Sequence, residues 1–277
     1  MSTRKNSGAR WARVLVVLQI ACVALPLSII AVWAFTDSWP WPNLLPESFS
    51  LRGMQTIARG GDATGLGCLL LSVEISVACA VLTTAVAVLA ARAICFHRWV
   101  GRTAFEYLTM LPFLIPTTVF AMGVQVAFIR LHLAYTAFGV VLAHAIVALP
   151  YAVAIMTETT RGAGQAREQA ARTLGASGLR AFWHVSLPTI TPGILSSLCM
   201  SFIISFSQYF LTLLIGGGKV RTFALILFPY LSGGDRTIAG AYALVFLATT
   251  LLVFVAFRVI LRKTGGSTEE TALYGEA

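Results

Sequence analysis

Few side chains in this 277-residue sequence could do chemistry, and they stand far apart. Glu74, Cys79 and His144 sit in apolar runs at no spacing that pairs a nucleophile with a base, and neither G-x-S-x-G nor H-E-x-x-H occurs. The five cysteines, Cys22, Cys68, Cys79, Cys95 and Cys199, form no C-x-x-C pair and have no nearby histidine at ligand spacing. They read as small buried residues, so no disulfide framework, metal, cofactor or catalysis is expected. Gly216-Gly217-Gly218-Lys219 only superficially resembles a phosphate-binding loop, because Val220 replaces the required Ser/Thr and Leu213 the first glycine.

Polar groups set inside long apolar runs are a different kind of candidate, since each is costly there and needs a reason. Glu74 either lines a cavity that meets a cation or pairs with a neighbouring helix. Gln125 and His144 are either hydrogen bonds between helices or pathway lining. Ser205, Gln208 and Tyr209 lie together in one run and are the stronger candidates for lining a polar path.

The elements that must position these residues follow from composition. Hydrophobic residues make up 57% and charged residues 11%, far from the soluble norm. Twenty Lys+Arg against eleven Asp+Glu give a net charge of +9, yet the basic residues lie between apolar runs, which points to membrane topology rather than to nucleic acid. Crossing the hydrocarbon core takes about 20 apolar residues in a helix. Six segments qualify: Val14 to Phe35, Gly67 to Ala91, Phe105 to Ile129, Thr136 to Met156, Ile194 to Ile215 and Ala239 to Leu261. The expected fold class is therefore an all-α, multi-pass integral membrane protein in contact with lipid. Its expected divisions are an N-terminal segment 1–13, a membrane domain 14–261 and a tail 262–277.

An even number of spans puts both termini on one side. If that side is the cytoplasm, the inner segments hold Arg4, Lys5, Arg10, Arg13, Arg92, Arg98, Arg102, Arg161, Arg167, Arg172, Arg180, Arg258, Arg262 and Lys263, leaving Arg52, Arg59, Arg130, Lys219, Arg221 and Arg236 outside. That bias obeys the positive-inside rule, so both termini are expected in the cytoplasm. The first span is too long for a signal peptide and lacks an A-x-A site, so it reads as a retained anchor. Trp33, Trp39 and Trp41 cluster where it leaves the membrane, and Pro40, Pro42 and Pro46 keep the chain extended beyond it.

The longest inner connection, 157–192, is too structured for a linker. Gln165 to Leu174 is rich in helix formers, Gly175 suits the position past a helix end, and Ser177 can cap a second helix running from about Gly178 to His184 and ending before Leu187-Pro188. On the first helix Ala170, Ala171 and Leu174 are expected to share a face, with Arg167, Glu168 and Arg172 in solvent. Composition alone leaves two readings open: a knob that docks to a protein, or an amphipathic helix resting on the bilayer.

The string Glu168-Gln169-Ala170-Ala171, Leu174-Gly175-Ala176, Val185-x-Leu187-Pro188 and Pro192-Gly193 resembles the EAA loop of bacterial ABC-importer permeases. Gly175 and Leu187-Pro188 stand at the family's spacing, whereas Gln169 occupies the family's Glu position and the acid stands one residue earlier. GVVLAHAIVALP (139–150), SFSQYFLTLLIGGG and LPFLIP are similar to the polyamine, thiamine and iron branch, so the resemblance covers Phe105 to Leu261. The acid that often follows the S-F of this span in polyamine permeases is absent here, where Ser205-Phe206 precedes Ser207.

This resemblance implies the type I importer fold, a bacterial inner-membrane location, a second permease subunit, two cytoplasmic ATP-binding subunits and an extracytoplasmic solute-binding protein. It implies that Glu168, Gln169, Ala170, Ala171, Leu174, Gly175, Ala176, Leu187 and Pro188 form the ATPase-coupling loop. Polyamine or thiamine is the expected solute class. A stand-alone secondary transporter is the alternative; it would show paired interrupted helices and several intramembrane acids, and only Glu74 qualifies.

Overall fold

The computed structural model describes residues 4–39, 43, 45–60 and 65–264. Pro40, Trp41, Pro42 and the tail from 265 onward lie outside them. The helices are α1 (Arg4–Ala34), α2 (Arg52–Arg59), α3 (Leu66–Phe96), α4 (Arg102–Leu114), α5 (Thr117–Arg130), α6 (Ala137–Ala163), α7 (Ala166–Thr173), α8 (Gly178–Ala181), α9 (Leu187–Phe206), α10 (Phe210–Gly216), α11 (Phe223–Gly233) and α12 (Arg236–Thr264). Two short strands, β1 (Thr36–Ser38) and β2 (Ser48–Phe49), pair antiparallel. This small hairpin is the one departure from an all-helical chain among the described residues. Among the described residues five helices are long and apolar enough to cross a membrane, and six spans result if α4 and α5 count as one.

The third span is not the continuous helix expected from Phe105 to Ile129. It breaks between α4 and α5, which meet at a bend of 104°. Pro116 explains the break: its ring pushes the preceding residue out of the helical region, and Ile115 is extended at φ −94°, ψ 130°. The fifth span also differs from the expected Ile194 to Ile215. Helix runs from Gly178 through a π-turn at Phe182–Ser186 into α9, stops at Ser207, and resumes as α10. The second loop helix therefore does not end before Leu187-Pro188. In the wider turn the Leu187 N–H reaches back five residues to the Phe182 carbonyl, which relieves the ring of Pro188 of the ordinary four-residue clash and lets helix continue past it.

The chain divides into two compact units, Met1–Leu66 with Leu227–Ala248, and Gly67–Ile226 with Thr249–Ala277. In the first, the Thr237 hydroxyl donates to the Thr36 carbonyl at 2.6 Å, and Arg52 bonds Asp235 at 3.2 Å. Trp33 and Trp39 meet edge to face there, 6.1 Å between centroids. Along the apolar length of α1, from Arg13 to Ala34, only Ala34 at its end is buried within the chain.

The second unit holds the core. Its most extensive helix contact is between α6 and α9, built on small residues: Ala145, Ala148 and Ala152 on one side, Gly193, Ser197 and Ser201 on the other. Between apolar helices in lipid, close backbone approach replaces the hydrophobic drive, so small side chains carry the contact. Gly193 is required there, because a Cβ would run into the Thr159 side chain. Thr84 on α3 and Ser197 on α9 share a buried hydrogen bond of 3.0 Å. At the loop end, Ala87, Ala91 and Ile94 pack with Val153, Met156 and Ile190, and Phe105 and Phe182 lie against them.

Candidate functional site

The loop between α6 and α9 is a helix, a sharp turn and a second helix. Gly175 takes φ +93°, a left-handed value that favours glycine, and its N–H bonds the Arg172 carbonyl at 3.0 Å. Ser177 caps the next helix, its hydroxyl accepting from the Arg180 N–H at 3.4 Å. The local signals in the sequence are thus expressed as the turn they encode.

The rotation of α7 about its axis differs from expectation. Glu168 is not in solvent but 6% exposed, and it accepts two bonds from Arg92 of α3, Nη1 to Oε2 and Nη2 to Oε1, each 3.0 Å. Ser186 adds a third, donating to Oε2 at 2.5 Å. The Arg92 guanidinium lies 4.7 Å from the ring centre of Phe182 and 5.5 Å from that of Phe96. These bonds, Arg92's first, hold the Glu168 carboxyl below its usual range against the opposing effect of burial. The correction has a physical cause: a carboxylate one turn into α7 finds a fork-shaped donor at the end of α3, and that bidentate fit turns its side of the helix inward.

The opposite side is left outward. Gln169 and Ala170 are exposed, Ala171 and Ala176 half-buried, and Leu174 is 89% exposed. On the second helix Leu179 is 71% and Trp183 57% exposed, Pro188 is exposed and Leu187 half-buried. Apolar side chains at this exposure, beside an anchored carboxylate, make an outward apolar patch on a fixed base. Sequence reasoning missed Arg92 and Ser186 as members of this site. Arg92 is 76 residues from Glu168 and registers in the sequence only as an inner-side charge.

Among the polar groups of the spans, the structure brings together His144, Ser205 and Gln208 and separates Glu74 and Gln125 from them. His144 has no exposed surface; its Nδ1 lies 2.9 Å from Ser205 Oγ and its Nε2 3.0 Å from Thr212 Oγ1. Thr212 donates its hydroxyl proton to the Gln208 carbonyl at 2.8 Å, so its oxygen accepts from Nε2–H, and Nδ1 accepts from Ser205. Every group of this network is satisfied by protein, which makes it a tie between α6, α9 and α10. Gln208 and Tyr209 are half-buried in the break between α9 and α10, and Ser207 beside them is exposed. Gln125 is half-buried on α5 and donates to the Leu214 carbonyl at 3.2 Å. Glu74 is exposed on α3.

Residues 83–265 match the family model described as the binding-protein-dependent transport system inner membrane component. The chain belongs to this family. It is a multi-pass inner-membrane permease component of an ABC importer. One relative, the sulfate transport system permease protein CysT of Salmonella typhimurium, is 29% identical over 184 residues, 61% of this permease and 66% of that chain's length. Another, the spermidine/putrescine transport system permease protein PotC homolog of Mycoplasma pneumoniae, is 24% identical over 258 residues, covering 90% and 87% of the two chains. The fold agrees with a chain from the crystal structure of a bacterial ABC transporter involved in the import of the acidic polysaccharide alginate. The TM-score there is 0.73 at 15% identity, over 93% of this permease and 98% of that chain.

Proposed function

We propose that this permease forms one half of a transmembrane path, with both termini cytoplasmic, and that it receives motion from ATP-binding subunits through the loop at 157–192. The observation that carries the reading is the two-faced α7: Glu168 fastened to α3 and α9 on one side, Gln169, Ala170 and Leu174 outward on the other. A lever transmits a displacement only if it is rigid toward the membrane helices and exposed toward the driver. Leu179 and Trp183 extend the same outward surface. The chain carries no phosphate-binding loop of its own, consistent with hydrolysis on a separate subunit.

The largely unburied apolar length of α1 supports a second permease, homologous or identical, as part of the surroundings of that span. Gln208 and Tyr209, at the interruption of the fifth span, border the path in this reading, while the buried Ser205 stays in the tie to His144. A helix interrupted at membrane depth is tolerated where the freed backbone lines a cavity or is buried in protein.

The solute is small and polar, and a polyamine or thiamine remains the first reading, supported by the spermidine/putrescine relative. The sulfate relative favours a second reading, an oxyanion. Delivery would come from an extracytoplasmic binding protein. The test is reconstitution with its ATPase and binding protein in liposomes, measuring ATP-dependent uptake of labelled putrescine, thiamine and sulfate. Uptake with no ATPase present would overturn the reading, as would labelling of residues 164–188 from the outer side of cells.

A further inference from the structure

In the second unit the C-terminal end of α10 carries a fixed platform of uncompensated positive charge. Two turns meet there, 131–136 after α5 and 217–222 after α10. The Tyr135 N–H donates to the Ile215 carbonyl at 2.7 Å, and the Tyr135 ring lies so close to Gly217 that a Cβ would run into it. From α3, the Cys68 thiol donates to the Arg221 carbonyl, and the Ser72 hydroxyl accepts from the Phe223 N–H at 2.6 Å. Ile215 and Val220 are buried with Ile75, Phe128 and Val140, so both turns are held against α3, α5 and α6. Arg130, Lys219 and Arg221 are exposed on this platform. Neutral groups hold two of them: Lys219 lies 6.0 Å from the centre of the Tyr135 ring, and Arg221 donates from Nε to the Gly218 carbonyl at 3.3 Å. None of the three is in an ion pair among the described residues. Of the carboxylates between 67 and 226, Glu106, Glu158 and Glu168 are each paired with an arginine elsewhere, which leaves Glu74 of α3 against three cations.

The seven residues of α10, about 10 Å of helix, separate these charges from the break at Ser207–Tyr209. That is close to one screening length at physiological ionic strength, so the field reaches the break in part there and almost fully at low salt. The break itself presents a hydroxyl and an amide, Ser207 and Gln208, and no acid. We propose that Arg130, Lys219 and Arg221 make the approach to the break selective for anions. The solute is then a small oxyanion, the second of the two classes above, an assignment that rests on the proposed topology and path. Positive charge held beside a low-dielectric wall raises the local concentration of anions and lowers that of cations. A polyamine meets all three charges with the wrong sign and finds no carboxylate at the break to offset them. Ser207 and Gln208 can both donate to the oxygens of an oxyanion.

The test reads the local potential with single thiols in the full chain, held in neutral phosphatidylcholine nanodiscs. The native cysteines are replaced, with Cys68→Ser keeping a donor for the Arg221 carbonyl. Ser207→Cys reports the break, and Ala137→Cys, exposed at the start of α6, reports the platform. Each is labelled with an anionic sulfonate and with a cationic trimethylammonium methanethiosulfonate, and the ratio of the two rates is compared with that of a free thiol. In about 0.01 M salt both positions should favour the anionic reagent about tenfold over the free thiol. Each of Arg130→Gln, Lys219→Gln and Arg221→Gln should lower that ratio about twofold, and about 1 M salt should abolish it. At equal ionic strength sulfate should protect Ser207→Cys better than putrescine does. A ratio no higher than the free thiol's at both positions, a ratio indifferent to all three glutamine variants, or better protection by putrescine overturns the proposal. A preference at Ala137→Cys that is absent from a reactive Ser207→Cys confines the charge to the surface, where it meets an acidic protein face instead, and overturns the solute assignment while the path stands. A Ser207→Cys that reacts with neither reagent fails the path itself, and the proposal with it.

Discussion

Arg92 and Glu168 stand 76 residues apart in the chain and 3.0 Å apart in space, joined by two parallel bonds that fasten the loop between α6 and α9 to the second span. Removing one partner leaves the other charge largely buried without its counter-ion, at a cost of about 3 kcal/mol. Glu168→Gln and Arg92→Met should therefore loosen α7 and lower ATP-dependent uptake while ATPase activity continues. Exchanging the charges, Arg92→Glu with Glu168→Arg, should restore part of the uptake. Wild-type coupling in the single variants would show that the pair is not what holds the lever.

The same pair fixes a pH dependence. Because the Glu168 carboxyl titrates lower in the folded protein than in the unfolded chain, its stabilisation is fully present above the ordinary glutamate value, about 4.3, and is lost as pH falls through the lower folded value. Hydrogen exchange over residues 166–173 should thus be indifferent to pH-driven unfastening between neutral and mildly acidic conditions and should accelerate beyond its intrinsic rate only in strong acid. In Glu168→Gln the protection should be low at every pH. A protection change centred near neutrality would contradict this assignment.

Gly175 separates geometry from docking. At φ +93° an alanine costs about 1 kcal/mol, a local strain that the folded loop can absorb. Aspartate adds charge next to the exposed Leu174, as it does at Ala170. Gly175→Ala should retain most transport, whereas Gly175→Asp and Ala170→Asp should abolish it and uncouple the ATPase, with membrane insertion unchanged by protease protection. Retained uptake in both aspartate variants would remove the loop from the coupling path.

How much of this was legible in the sequence differs between its parts. The loop's turn was readable because Gly175 and Ser177 encode it locally, and the spans were readable because their apolar lengths do. The face of α7 was not, since rotation about the helix axis was set by Arg92 on α3, and no local pattern announces a partner 76 residues away. The break at Pro116 could have been taken from the residue before proline. Continuation past Pro188 could not, because it depends on a π-turn over Phe182–Ser186 that no residue type specifies.

His144 distinguishes packing from pathway. His144→Leu takes from the buried Ser205 hydroxyl its acceptor and from Thr212, which keeps its bond to the Gln208 carbonyl, a donor, which should cost about 1 kcal/mol and lower the thermal midpoint measurably. Solute selectivity should stay unchanged. A shift in selectivity at constant thermal stability would instead make His144 part of the path.

The break at Ser207–Tyr209 makes the strongest demand on the proposed path. Helix stops there within the fifth span, Ser207 is exposed, and Gln208 and Tyr209 are half-buried. In lipid such an interruption would leave backbone groups without water, so in this reading the exposed side of the break faces an aqueous route. Cysteine introduced as Ser207→Cys or Gln208→Cys, in a background with the five native cysteines replaced, should react with a charged, water-soluble thiol reagent. The rate should exceed that at the fully buried Ser197→Cys by about tenfold or more, since only a hydrated thiol ionises and reacts well. Transported solute should slow the reaction at the break and leave the control untouched. Equal, slow labelling at all three positions would place the break against protein or lipid and move the path elsewhere in the bundle.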